Sequence, residues 1–195
     1  MPAAFVLGNG RSRLAINLHE LGSRGPIYGC NALYREFAPT VLVSTDRPIS
    51  ERIQQEGYAL KNRMYTRRPL PGRGAQPVPQ DYYGFSSGPI AAAVAALDGN
   101  CVIYLAGFDL GPLPNNGFNN VYADTEFYKK SSARPTFAGN WVRQLGQIMR
   151  TFRQTRFVRI LGDSTATVLE FQSYANHSDI PMMEFLDRIN NLKDL

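Results

Sequence analysis

Two short stretches have the residue types and spacing to hold an anionic ligand. Gly8-Asn9-Gly10-Arg11-Ser12 follows the apolar run Ala3-Ala4-Phe5-Val6-Leu7 and opens a segment of helical spacing. Glycine at such a turn lets the main chain approach a phosphate, and a helix start favours negative charge. Ser86-Ser87-Gly88-Pro89 is a second nest of this kind at the head of an alanine-rich helix. Its plainer role is capping: serine oxygen accepts from unpaired helix N–H groups, and proline suits the first turn. Asn31, Asp46 and Asp109 each stand at or just past the end of a predicted strand. The two aspartates can take ribose hydroxyls or act as a base; their plainer role is to cap the loops after the strands.

Several chemistries are disfavoured by what is missing. The third glycine of a dinucleotide fingerprint is replaced by Arg13, and the ribose-binding acid expected about 20 residues on is replaced by Asn31. NAD is therefore disfavoured. No phosphate-loop signature with Gly-Lys-Ser/Thr occurs. Two cysteines and two histidines without ligand spacing, and no Asp-x-Asp pair, argue against a metal. His19 and His177 read as surface residues, and no Ser/His/Asp set or paired carboxylates stand at motif spacing.

The elements that must position these residues alternate. Strands are expected at 3–8, 27–31, 40–46, 101–109 and 157–161, with a short one near Met64-Tyr65. Helices are expected over 11–21, from 49 to 56, over 87–98, over 140–155 and near 181–193. The Pro- and Gly-rich loop 69–79 cannot join a sheet interior and reads as a surface excursion beside the site. Residues 111–139, rich in Asn, Gly, Pro and Ser, read as a lid. The pattern predicts one α/β, Rossmann-like domain over 1–195. Its sheet is mostly parallel, with helices on both faces and ligands beyond the carboxyl ends of the strands.

Composition narrows the setting. An apolar fraction of 44% is ordinary for a globular chain. No apolar run approaches the roughly 20 residues of a membrane span. The N-terminal run lacks a basic flank and a cleavage site, so it reads as a strand and not a signal peptide. Cys30 and Cys101 suit a reduced, cytoplasmic setting. The net charge of +5 is carried mostly by arginine. Arg63, Arg67, Arg68 and Arg73 can draw in a nucleotide or track nucleic acid; the nucleic-acid reading is the weaker. Arg143, Arg150, Arg153, Arg156 and Arg159 read as a solvated surface. On the helix 140–155, Trp141, Leu145, Ile148, Met149 and Phe152 form the apolar stripe, with Arg143, Arg150 and Arg153 opposite.

Four ordered blocks carry a family resemblance: Leu7-Gly8-Asn9-Gly10-Arg11-Ser12, Gly29-Cys30-Asn31, Phe85-Ser86-Ser87-Gly88 and Ile103-Tyr104-Leu105-Ala106-Gly107-Phe108-Asp109. Over roughly residues 3–128 the chain resembles the bacterial sialyltransferases that use CMP-sialic acid. It is also similar to the DUF115 proteins (pterin pyrophosphokinase-like) and to short phage-encoded proteins. The resemblance implies that Asn9, Asn31, Ser86, Ser87 and Gly88 contact a cytidine nucleotide and that Gly107 precedes the strand-end acid. It further implies that Tyr122 of the lid contacts the phosphate. Asp46 stands where the family has asparagine, so it is expected to face a sugar or base. The family's general-base histidine has no counterpart in 129–140, leaving Asp124 and Glu126 as substitutes.

The expected function is therefore binding of a nucleotide or nucleotide-sugar of CMP type at Gly8, Asn9, Gly10, Ser12, Asn31, Asp46, Ser86, Ser87, Gly88, Gly107, Asp109 and Tyr122. If the chain is an enzyme, it is a metal-independent glycosyltransferase in the cytoplasm that needs no cofactor. The alternative is a non-enzymatic phage virion or assembly component, with loop 66–80 meeting other phage structural proteins.

Overall fold

A computed structural model describes residues 3–191. Residues 1–2 and 192–195, which include the first residues of the chain and the end of the expected closing helix, lie outside the described residues. The strands are β1 (Ala3–Leu7), β2 (Ile27–Cys30), β3 (Val41–Val43), β4 (Met64–Thr66), β5 (Gln76–Pro77), β6 (Val102–Ala106), β7 (Arg156–Leu161) and β8 (His177–Pro181). The α-helices are α1 (Leu18–Gly22), α2 (Arg47–Gln55), α3 (Ser87–Leu97), α4 (Gly139–Thr151) and α5 (Met182–Asn191). The strands form one sheet in the order β5-β4-β3-β2-β1-β6-β7-β8, and every neighbouring pair is parallel. This is the Rossmann-like α/β architecture, with its reversal of strand order at β1 and β6.

Alternation along the strands feeds two cores. Ala4 and Val6 of β1 join the layer of α3 and α4, while Phe5 and Leu7 face α2 and α5. The alanines of α3 are buried throughout, which lets this helix lie close on β1, β2 and β3.

The segment 11–21 is not one helix. A 3-10 turn over Arg11–Ala15 ends, and Asn17 starts α1 by accepting from the N–H groups of His19 (3.1 Å) and Glu20 (3.3 Å). The third strand stops at Val43, short of residue 46, because the Thr45 N–H and hydroxyl turn to the Ser87 hydroxyl at 3.0 and 2.9 Å. Loop 69–79 does contribute a strand, but only the two-residue edge strand β5, where Pro77 is tolerated. β8 lacks an apolar run because it too is an edge strand, pairing with β7 alone.

Two expected surface residues are buried. Arg159 on β7 is 0% exposed; its Nε donates to Phe108 O (3.1 Å) and its Nη2 to Ala166 O (2.6 Å). It fixes the chain just after β6. The His177 side chain is 3% exposed and lies 3.3 Å from Asp179 Oδ1.

Candidate functional site

Most N–H groups of the first turn, where the sequence suggests a phosphate cradle, are bonded within the protein. Gly8 N–H donates to Ala106 O and Gly10 N–H to Gly107 O, both at 2.8 Å. These bonds stitch the end of β1 to the end of β6. A Cβ on Gly8 would lie 2.4 Å from Gly107 O, so glycine there serves a backbone contact. Gly107 itself has φ +70°, the left-handed region that favours glycine. Arg11 N–H is taken by Asn119 Oδ1 (3.0 Å) and Ser12 N–H by Asp109 Oδ2 (3.1 Å). The anion at this helix start is the protein's own Asp109. Its buried carboxylate also accepts from the Ser12 hydroxyl, from Asn119 Nδ2 (3.1 Å), from Ser164 Oγ (2.6 Å) and from Thr165 Oγ1 (3.5 Å). A buried carboxylate satisfied this fully is held as an organiser of loops, not left free for a ribose.

A cavity of about 520 Å³ opens over this stitched seam, at the carboxyl ends of β1, β2 and β6 and against the start of α3. It brings together Gly8, Asn9, Gly10, Asn31, Asp46, Ser86, Ser87, Gly88, Gly107 and Asp109. Among the expected residues, Ser12, Tyr122, Asp124 and Glu126 do not line it. Ser12 is spent on Asp109. Tyr122 is buried on the other face of the sheet, where it accepts from Arg13 Nη2 (2.7 Å) and donates to Glu36 Oε1. Burial and the charge of Glu36 push the phenol well above its ordinary range, although Arg13 opposes this. Asp124 is exposed at φ +67° and accepts from the Ser131 N–H at 3.1 Å. The hydroxyl and N–H of Ser131 hold its carboxyl below the usual range. Glu126 pairs with Arg52 at 3.1 Å.

The start of α3 opens on the cavity without a side-chain cap. Ser86 occupies the cap position, yet its side chain makes no cap bond. Its hydroxyl instead accepts from Trp141 Nε1 at 3.1 Å, and its N–H donates to Gln144 Oε1 at 2.9 Å. The capping expected of this serine is thus absent, and the first N–H groups of α3, at Ser87 and Gly88, have no side-chain cap. The Ser87 side chain is buried and committed: its Oγ receives Thr45 N–H and lies 3.0 Å from Asn31 Oδ1, to which it donates. Asn31 also accepts from Ser44 Oγ (3.1 Å), and its Nδ2 reaches Asp46 Oδ2 at 3.4 Å. Its φ of +51° is strained for a non-glycine residue, and this network holds it there. Beside it Asn9 Oδ1 is buried with no partner. An orphaned acceptor on a cavity wall is a demand for a donor from a ligand. Cys30 lines the same wall, but burial pushes its thiol up to about 12, so it is no nucleophile at neutral pH.

Residues 111–138 contain no regular helix or strand and form the roof. Val121 N–H donates to Asn9 O at 2.8 Å, and Arg35 Nη1 donates to Thr125 Oγ1 at 3.2 Å, so the roof is tied to the floor and the rim. Sequence reasoning missed Phe118, Asn119, Asn120, Phe127, Tyr128, Lys129, Thr136, Phe137, Asn140 and Trp141 as lining residues. Trp141 had a signal: it stands at the first turn of α4, where the apolar stripe meets the cavity, and it is only half-buried. Phe137 lines the cavity and is 77% exposed, its ring lying over Gly139. Among the described residues, no three His, Cys, Asp or Glu side chains are grouped as metal ligands, and no helix is long and apolar enough to cross a membrane.

No protein-family model matches the sequence, and no curated protein does. Among solved structures the chain is similar to the sialyltransferase CstII from Campylobacter jejuni, determined in complex with a substrate analogue, cytidine-5′-monophosphate. The TM-score is 0.50 at 14% identity, over 97% of this chain and 99% of that one. At this identity the likeness is one of fold, and it runs through nearly the whole of both chains.

Proposed function

We propose that the protein binds a nucleotide of the cytidine monophosphate type, carried as a nucleotide-sugar, and acts as a metal-independent glycosyltransferase-like enzyme. The observation that carries this reading is the uncapped N-terminus of α3 facing a cavity on whose wall Asn9 Oδ1 is buried without a partner. The Ser87 and Gly88 N–H groups and the helix dipole suit the phosphate. Asn9 Oδ1 suits a hydroxyl or amino donor of the nucleoside. Trp141 and Phe137 supply aromatic surface against which a base or sugar ring can pack. The phosphate subsite is thus assigned to the start of α3, because the N–H groups of Gly8, Gly10, Arg11 and Ser12 in the first turn are already taken by protein acceptors. The similarity to a sialyltransferase solved with cytidine-5′-monophosphate favours the cytidine nucleotide over others.

Calorimetric titration with CMP, UMP and GMP tests the reading. CMP is expected to bind most tightly, and Asn9→Ala to weaken it about tenfold, or about 1.4 kcal/mol. Absence of binding by any of the three at millimolar concentration would end it.

A further inference from the structure

A second cavity of about 550 Å³ lies beyond the ends of β3 and β4, and Asp46 is the residue common to the walls of both cavities. We propose that Asp46 is the general base of glycosyl transfer and that this second cavity receives a neutral saccharide acceptor; the proposal rests on the nucleotide-sugar reading above.

Asp46 is the available carboxylate. It stands at the cap position of α2 but makes no cap bond. Among the described residues its one side-chain hydrogen bond is the long 3.4 Å contact from Asn31 Nδ2 to Oδ2, and none of them bonds Oδ1. The other carboxylate of the nucleotide cavity, Asp109, is saturated by buried donors. The histidines do not line either cavity, and the Cys30 thiol stays protonated. Among the described residues, Asp46 is therefore the group at the first cavity with both the charge and the free lone pairs to take a proton.

The wall of the second cavity carries charge of both signs, Arg47, Arg67 and Arg68 beside Asp46 and Glu51, and offers hydroxyl groups both donors and acceptors. Arg47 is neutralised by Glu51 at 2.7 Å. Arg67 is held by two main-chain carbonyls, Tyr83 O at 2.7 Å and Phe85 O at 2.6 Å. Donors and acceptors of both kinds remain, beside the half-exposed ring of Tyr83, the usual company of a sugar. Loop 66–80 supplies this wall through Arg67 and Arg68.

The step balances. Asp46 Oδ1 accepts the proton of an acceptor hydroxyl as that oxygen bonds to the anomeric carbon of the donor. The bond from the anomeric carbon to the phosphate oxygen breaks, and its electron pair leaves with the nucleoside monophosphate. The new negative charge falls on the phosphate, at the start of α3. The proton leaves Asp46 for solvent.

The test uses the full chain with CMP-sialic acid, following release of CMP with and without a panel of free mono- and disaccharides, beside calorimetric binding of CMP. Asp46→Asn is expected to bind CMP at least as tightly while CMP release falls by about 100-fold or more. Gly84→Trp adds bulk at the wall of the second cavity, where a Cβ meets nothing within 4 Å, and its melting temperature and CMP affinity are measured beside those of the unaltered chain. It is expected to lower saccharide-dependent turnover about tenfold or more. If the unaltered chain binds CMP but Asp46→Asn releases it as fast, or no release occurs at all, the base assignment is overturned. If no saccharide accelerates release, or Gly84→Trp leaves that acceleration intact, the acceptor assignment is overturned. If the unaltered chain does not bind CMP, the nucleotide reading itself has failed.

Discussion

Gly10 is glycine because Asp109 fills the space its side chain would need. A Cβ at Gly10 would lie 2.4 Å from Asp109 Cγ and 2.6 and 2.7 Å from its two carboxylate oxygens. The carboxylate is fixed by donors from Ser12, Asn119, Ser164 and Thr165, so it cannot yield without breaking bonds to three separate loops. A turn with the look of a ligand cradle is thereby a structural clasp between β1, the roof and the segment after β7.

Gly10→Ala is therefore expected to cost stability. The loss should be about 1–3 kcal/mol, the usual penalty of forcing a methyl into a filled space. Asp109→Ala, which strands buried donors, should cost more, about 3–5 kcal/mol. The informative measurement is the double variant in urea denaturation. With the carboxylate gone, the added methyl at position 10 has room, so the two losses should fall well short of additive. Strict additivity would show that the two residues do not share this space.

The sequence made the core of this fold legible where periodicity and packing agree. β1, α3, β6 and β7 all fall near their expected places because apolar runs and small residues there answer to burial alone. The convergence of the candidate residues was legible, since Asn9, Asn31, Asp46 and Ser87 all line one cavity. Their roles were not. Whether Ser86 caps α3 depends on Trp141, 55 residues away, which draws its hydroxyl aside. Whether the first turn binds an anion depends on Asp109, 97 residues from Ser12. Residue type at the turn is the same in either case; only the partner across the sheet decides. Arg159 misled for a related reason. Its charge suggests water, but three carbonyls exposed by irregular chain after β6 and β7 need donors, and its guanidinium provides them.

Tyr122→Phe separates the position of the tyrosine from the role that family resemblance implies for it. The hydroxyl bridges Arg13 and Glu36 within the second core and does not reach the cavity. Its removal leaves the buried Arg13 with one partner fewer and should cost about 1–2 kcal/mol of stability. CMP affinity should stay within about twofold, a change of roughly 0.4 kcal/mol. A large loss of affinity with unchanged stability would place the phenol at the phosphate after all.

Stability should fall as pH drops from neutrality, with His177 acting first. Burial lowers its pKa below the ordinary value of 6.5; Arg159 acts in the same sense and the Asp179 carboxylate opposes both. The unfolded chain therefore takes up a proton on this ring at a higher pH than the folded chain does. The neutral ring's contribution is fully present above about 6.5 and is lost as pH falls through the lower, folded-state value. Glu36 and Asp98 act later. Burial raises each, but the bonds from Arg13 and Tyr122 to Glu36, and from Arg63 and Tyr28 to Asp98, outweigh it and leave both lowered. Their stabilisation is present above their ordinary values of 4.5 and 3.8 and disappears below them. Melting temperature against pH should thus show a first decline that sets in below about 6.5, ahead of the carboxylate decline. His177→Gln should remove the first decline and leave the second. If the unaltered chain and His177→Gln show the same early decline, another group carries the early titration and the buried edge-strand histidine does not.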